Sequence, residues 1–465
     1  MAERGSRERG AAWSPLRCDP ADVFRFIAAE PHSFFLDSSL ADSKLGRWAF
    51  MGSHPFLVFA ARGRSWSVRE RGRVTRGLGA PFEVLRRLVA RHRREPLAGG
   101  PPLAAGAVGY AGYEAGRLLE RIGGARPPGD GLPDLCFAFY NEVAAFDLVR
   151  REAWAGGPRL SAWIRAAVRG ETPPRRPPFE LTSPLGWDRT RAQYLEAVES
   201  VRDSIARGEI YQANLTRRAA ATWRGDPYDL HRRLRAVSAA PFAAYLNFGR
   251  VRICSASPER FLKVRGARVE TRPIKGTRPR GADRAADRIQ ALDLVRSPKD
   301  HAEHVMIVDL ERNDLGRVCE TGTVRVAELA TLERYPQVFH LTSTVEGRLR
   351  RGVTATEALA ALFPGGSITG APKIRAEEIL AGLEPGPRGI YTGAIGYLSF
   401  TGDADFSIAI RTIALVGSRL SFGVGGGIVA DSDPTAEWDE TNHKAAGMLA
   451  ALGAPLTDLR VGFRP

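Results

Sequence analysis

GIYTGAIGYLSF (389–400), DFSIAIRTIAL (405–415) and RLSFGVGGGIV (419–429) follow one another across short Gly-bearing breaks. One helix-patterned stretch, PTAEWDETNHKAAGMLAAL (434–452), comes after them, with Pro434 at its first position. Three successive strand-like runs before one helix favour an α+β fold over the regular alternation that a parallel sheet requires. The same grammar holds upstream. Asp188 or Thr190 is placed to cap a helix carrying Leu195, Val198, Val201 and Ile205, stopped by Gly208. IYQANLTRRA, FAAYLNF, RVRICSAS, RFLKV and RVETRPI read as strands. Helical spacing returns at 282–297, 299–315, 354–362 and 371–383.

Residues 1–165 read as mixed strand and helix, with short apolar runs such as FFLDSSL, PFLVFAA and AAGAVGYAGYE and a helix at 81–95. VRGETPPRRPPFELTSPLG (168–186) is Pro-rich and reads as a linker or surface hairpin. The domain expectation is therefore 1–167, a linker at 168–186, and 187–455 as the second region.

The chain has 465 residues, 44% of them hydrophobic, too many for a disordered protein. No apolar run is long enough for a membrane span. The start, MAERGSRERGAAW, is basic but has no apolar core, so a secretory signal is not expected. Four Cys at 18, 136, 254 and 319 show neither zinc nor disulfide spacing, which suggests a reduced, cytoplasmic protein. The net charge is +15, yet no finger, RNP-like string or basic arm supports nucleic-acid binding. Only six of the 67 cationic residues are Lys. Where Arg fills nearly every cationic position, a retained Lys hints at work that a guanidinium cannot do.

Several residues could carry chemistry. Glu437, Glu440 and Lys444 share one face of the last helix, and Gly425, Gly426 and Gly427 before them allow close backbone approach. Asp300 and Glu303 form a second i, i+3 pair on a helix that also carries Glu311 and Asp314. Two such helices facing each other would supply a Mg²⁺ site, although ordinary salt-bridged faces give the same spacing. Lys275, between Ile274 and Gly276, is either a desolvated nucleophile or a lysine in a turn. Glu259 is a general acid or the partner of an Arg. SITGAPK (367–373) presents a helix N-terminus to an anion, without P-loop spacing. His340 reads as a satisfied core residue or a site residue, and Arg411 as a cross-strand pair or a carboxylate clamp. There is no GxSxG, HExxH or Gly-flanked Cys elbow, so ammonia used by this chain must come from another chain or from solution.

Taken together, IYQANL, SPERFL, RPIKGTRPRG, KDHAEHVMIVDLERNDLGRV, RYPQVFHLTS, FPGGSITGAPK, RGIYTGAIGY, FSIAIRT and GGGIVADSDPTAEWDET resemble the chorismate-utilising enzymes. That family holds component I of anthranilate synthase and of aminodeoxychorismate synthase, with isochorismate and salicylate synthases as more distant kin. The blocks run in order from about 210 to 441; residues 1–165 match more weakly, through FLDSS and Gly46-Arg47-Trp48. The resemblance implies two β-sheets packed face to face with helices outside, the two regions sharing one core. It also implies Mg²⁺ held by Glu303 and Glu440, with Asp300 and Glu437 close behind. His340 would lie against the ring of chorismate, and Tyr391, Arg411, Lys444, the Gly425–Gly427 amides and Thr369 would bind substrate. Gln212 stands where isochorismate-forming relatives have a Lys that serves as base, which disfavours water addition.

Within the family, PIKGT looks like aminodeoxychorismate synthase component I, whereas anthranilate synthases usually read PIAGT. The resemblance then implies that Lys275 attacks the ring, that Glu259 protonates the departing hydroxyl, and that ammonia comes from a glutamine amidotransferase subunit. The product would be 4-amino-4-deoxychorismate, on the way to para-aminobenzoate and folate; anthranilate synthase component I is the alternative. FLDS, Phe35 to Ser38, stands where relatives often read LLES at a tryptophan pocket, so Asp37 and Ser38 mark a candidate pocket of that kind.

Overall fold

The computed structural model describes residues 13–40, 44–123, 131–335 and 338–455, and the backbone of 460–461. The start of the chain that was read for a signal lies outside these residues. Two large sheets are present, of 14 and 12 strands among the described residues. Nearly every pairing is antiparallel, as the run of successive strands requires. The expected α+β architecture, two sheets with helices outside, is what the chain adopts.

Both sheets draw strands from each side of the Pro-rich stretch. In the first, Phe34–Asp37 pairs with Phe242–Phe248. In the second, Gly106–Ala111 pairs with Ala394–Ser399. Ala394–Ser399 shows how the layers form. Ile395 and Tyr397 point into a core shared by both sheets, with Phe34, Val108, Tyr110, Leu246 and Ile253. Ala394 and Leu398 point the other way, into a core with helix residues Leu85, Val308, Leu315 and Leu359. Alternation sends successive side chains to opposite faces, and here both faces are covered, so the strand is buried throughout. The outer face of the first sheet is covered in turn by Leu230, Leu234, Met448 and Leu449.

The helices follow their end signals. Thr190 closes a capping box with Gln193 on Arg191–Ala206. Ser297 and Asp433 cap Pro298–Gly316 and Pro434–Leu452, each with Pro inside the first turn. Helices Pro158–Val168 and Pro227–Val237, absent from the sequence reading, also begin at Pro. In the Pro-rich stretch, Glu180–Leu181 and Gly186–Trp187 pair with the long strand Gln212–Arg224. Among the described residues no helix is long and apolar enough to cross a membrane.

Candidate active site

Lys275 lies on Ile274–Pro279, an edge strand of the second sheet, where register slips between Lys275 and Thr277. Gly276 takes φ of +73° at that slip. A methyl there would fall 3.2 Å from Asp300 Oδ1, so the Pro298–Gly316 helix rests against the turn. The Lys275 side chain is half-buried, and its Nζ donates to the Ser367 carbonyl at 3.3 Å. Burial pushes its amine below the usual lysine range and Lys444 adds to this, against the pull of Glu303.

Glu259 is buried, and its Oε1 accepts from the Ser367 hydroxyl at 2.7 Å and from the Ile274 N–H at 3.3 Å. Burial raises its pKa, so it is poised to hold a proton. Ser367 therefore touches both groups, through carbonyl and hydroxyl. Nothing in the sequence distinguished it within SITGAPK, because its role appears only when the 363–373 segment folds across the sheet.

The two acidic helices converge on Lys275. Glu303 and Glu440 both act on its charge, and on each other. Burial raises the Glu303 carboxyl, while Lys444, 2.6 Å away, holds Glu440 low. Glu437 Oε1 accepts from Ser432 at 2.7 Å; its Oε2 is buried without a partner. Asp300 is paired with Arg278 at 3.0 Å. Lys299, beside Asp300 on the same helix, acts on Glu303, Glu437 and Glu440. Among the described residues no three ligand-type side chains form a ready cage. Mg²⁺ needs none, since it takes one or two carboxylates and keeps waters. An all-carboxylate set with one orphaned oxygen fits such a hard cation.

The glycine strand forms the opposite wall. Gly425, Gly426 and Gly427 lie on Arg419–Ile428, paired with Thr216, Leu215 and Asn214. A methyl on Gly427 would sit 2.0 Å from Gln212 Nε2 and 3.4 Å from Lys275 Nζ, and one on Gly426 2.8 Å from Glu437 Oε2. Side chains at these positions would fill the site. Gly425 O accepts from Lys444 at 2.8 Å, and Gln212 Oε1 is buried and unpartnered.

His340 Nδ1 meets Thr277 Oγ1 at 2.9 Å, and its Nε2 is buried without a partner. Burial, with Arg411 adding to it, lowers its pKa to about 3, so the ring is neutral. Arg411 stands at φ +49° and makes no ion pair among the described residues. A cation without a carboxylate is a natural receptor for one from a ligand. Thr369 is fully buried, its hydroxyl bonded to Gly365 O at 3.0 Å. Tyr391 packs on Gly423, where a methyl would strike its ring.

Asp37 and Ser38 lie elsewhere. Asp37 lines a cavity of about 160 Å³ with Arg47, Trp48, Phe242, Arg260 and Tyr397. Its Oδ2 accepts from Arg235 at 2.6 Å while Oδ1 is buried and unpartnered. The Ser38 hydroxyl turns to Leu40 O at 2.7 Å and is not part of the lining.

The profile of the family described as chorismate binding enzyme matches residues 37–450. Aminodeoxychorismate synthase component 1 of Klebsiella aerogenes is 38% identical, covering 94% of this chain and 98% of its own. Anthranilate synthase component 1 of Cereibacter sphaeroides is also 38% identical, over 95% of this chain and 93% of its own. The crystal structure of anthranilate synthase component I from Streptococcus pneumoniae superposes with a TM-score of 0.76 at 32% identity, covering 88% of this chain and 93% of that one.

Proposed function

Since this chain belongs to the chorismate binding enzymes, we propose that it is component I of an aminodeoxychorismate synthase, adding ammonia to chorismate to give 4-amino-4-deoxychorismate. Overall identity does not choose between the two amination reactions, because relatives of both kinds stand at 38%. The observation that carries the choice is Lys275, an amine with lowered pKa, joined through Ser367 to a protonatable Glu259.

Lys275 Nζ adds to C2 of the ring, both conjugated ring double bonds shift by one position toward C4, and the C4–O bond breaks. The hydroxyl leaves as water with the proton from Glu259. Ammonia then adds at C4, both double bonds shift back, and the C2–N bond breaks to return the lysine. The proton shed by the new amine restores Glu259. Arg411, Lys444 and the glycine-strand amides hold the substrate carboxylates, with Thr369 and Tyr391 beside them. Neutral His340 lies against the ring. Gln212, an amide, cannot activate water as a lysine would. Mg²⁺ held by Glu303 and Glu440, with Glu437 and Asp300 behind, would neutralise the ring carboxylate.

Ammonia comes, in this reading, from a glutamine amidotransferase subunit. The relatives are named as first components, and no thiol here is activated. Burial raises Cys136 to about 12 and Cys319 to about 11, and Cys18 and Cys254 are raised as well. The place of action is the cytoplasm, in para-aminobenzoate and folate formation. The test is to incubate the pure chain with chorismate, Mg²⁺ and ammonium and identify the product with and without an added aminodeoxychorismate lyase. Aminodeoxychorismate, converted to para-aminobenzoate by the lyase, supports the reading; anthranilate as sole product overturns it.

A further inference from the structure

Glu311 is a buried acid that the reaction above does not use. It lies in the Pro298–Gly316 helix, two turns beyond Glu303, and is 2% exposed. Its Oε1 accepts the Gly366 N–H at 3.1 Å; its Oε2 is buried with no partner. The nearest cation, Lys373, is already taken by Asp314 at 2.5 Å and by Leu362 O at 3.1 Å. Glu311 thus has a hydrogen bond to hold and no counter-ion of its own. An apolar side chain would fill this place at less expense in desolvation.

The N–H that it holds is well placed to matter. Gly366 opens the short helical turn Gly366–Ile368, whose first amides have no partner within the turn. The next residue is Ser367, which touches Lys275 with its carbonyl and Glu259 with its hydroxyl. The helix packs hard on the turn, since a methyl on Gly366 would fall 2.6 Å from Leu310 Cδ2. The turn cannot slide toward the helix, and the Glu311 bond stops it from lifting away.

We propose that Glu311 is a positioning residue, which fixes Ser367 through the Gly366 N–H and so sets the mutual geometry of Lys275 and Glu259. The proposal rests on the assignment of those two as nucleophile and acid. The groups that face Glu311 are Asp314 on its own helix, Lys373 at the start of the helix Lys373–Leu383, and Glu259 across the turn. Burial and the Asp314 charge push its carboxyl up, toward the neutral form.

The test uses the full chain with chorismate, Mg²⁺ and ammonium, and the variants Glu311→Gln, Glu311→Asp and Glu311→Leu. Gln has the shape of the neutral acid and keeps an acceptor for Gly366, so kcat should stay within about twofold of wild type. Asp is one methylene short and Leu has no acceptor. Both should lose about tenfold or more in kcat, with KM for chorismate and the melting temperature nearly unchanged. A second readout needs no turnover: the acylation rate of Lys275 at fixed pH, followed by peptide mass spectrometry. It should change in Asp and Leu and not in Gln. Wild-type kcat and Lys275 labelling in Asp, or a Gln variant as impaired as Leu, overturns the proposal. A wild-type chain that makes no aminodeoxychorismate overturns the functional reading instead, and the labelling still decides the link from Glu311 to Lys275.

Discussion

Lys444 Nζ lies 2.6 Å from Glu440 Oε1, one turn along the same helix, on the face that meets Lys275. A lysine thus neutralises a carboxylate proposed to hold Mg²⁺. The same lysine donates to Gly425 O on the glycine strand. Metal and substrate binding should exchange these contacts, with Lys444 released to a substrate carboxylate.

Metal dependence is the first expectation. Glu303→Gln and Glu440→Gln should each lower turnover by about a hundredfold or more while the melting curve stays near wild type. Full activity in excess EDTA would contradict the proposed role of these carboxylates.

Covalent catalysis is tested at Lys275. Lys275→Arg keeps the charge but stays protonated, so it should lose most aminodeoxychorismate formation. Lys275→Ala recreates the PIAGT string and should shift residual activity toward anthranilate-type or direct-addition chemistry. Quenching wild type with chorismate and no ammonia should leave an adduct on the peptide containing Lys275, seen by intact and peptide mass spectrometry. If no adduct forms and Lys275→Ala is as fast as wild type, the lysine is not a nucleophile.

The nitrogen source can be read directly. The isolated chain should use ammonium salts and not glutamine, because none of its four thiols is activated. Adding a separate glutaminase subunit should confer glutamine use. Glutamine-dependent turnover by the pure chain would defeat this expectation.

Stability should decline between about pH 4.5 and pH 7, partly through Glu377. This buried carboxyl is raised to about 7, chiefly by desolvation. Its folded pKa lies above its unfolded one, so the folded state binds the proton more tightly. The stabilisation is complete below the unfolded value and is lost as pH rises through 7. The change is about 3 kcal/mol at most. Glu377→Gln should flatten the fall in melting temperature across that window; an unchanged slope would show that the carboxyl titrates normally.

Arg217 makes a different prediction. It is fully buried between Trp187 and Trp438, 3.9 Å from each ring, and its Nε donates to Thr441 at 2.8 Å. It pins the helix that carries Glu437, Glu440 and Lys444. Arg217→Lys should cost about 2–4 kcal/mol, since an ammonium neither stacks nor forks. Thermal denaturation and the Mg²⁺ dependence of turnover should both respond. Wild-type values for both would remove the pinning role.

Local signals made the helices legible. Thr190 caps its helix where its side chain reaches a free amide, and Pro434 begins its own; the caps Ser297 and Asp433 were not read from the sequence. Strands showed as short apolar runs between Gly-bearing breaks, as in Ala394–Ser399. Lys275, Glu259 and the two acid pairs stood out because each sits in a short string with unusual chemistry. Ser367, Glu311 and Arg217 did not, since their meaning depends on partners tens to hundreds of residues away. The helix Pro227–Val237 was missed because PYDLHRRLRAV carries only scattered apolar residues among its arginines. Its buried face includes His231 and Tyr228, types that do not mark a helix core by themselves.

Phe34–Asp37 waits for a neighbour, Phe242–Phe248, that the ribosome makes about 200 residues later. At roughly 5–20 residues per second that delay is on the order of 10–40 seconds. Gly106–Ala111 waits longer still, for Ala394–Ser399. During synthesis these apolar strands stand with open edges, ready to pair with a neighbouring nascent chain. Sheets woven from both ends of the chain therefore make birth the hazardous moment for this protein. High contact order predicts slow refolding, and yield on expression should rise with lower temperature or added chaperone far more than the finished protein's stability would suggest.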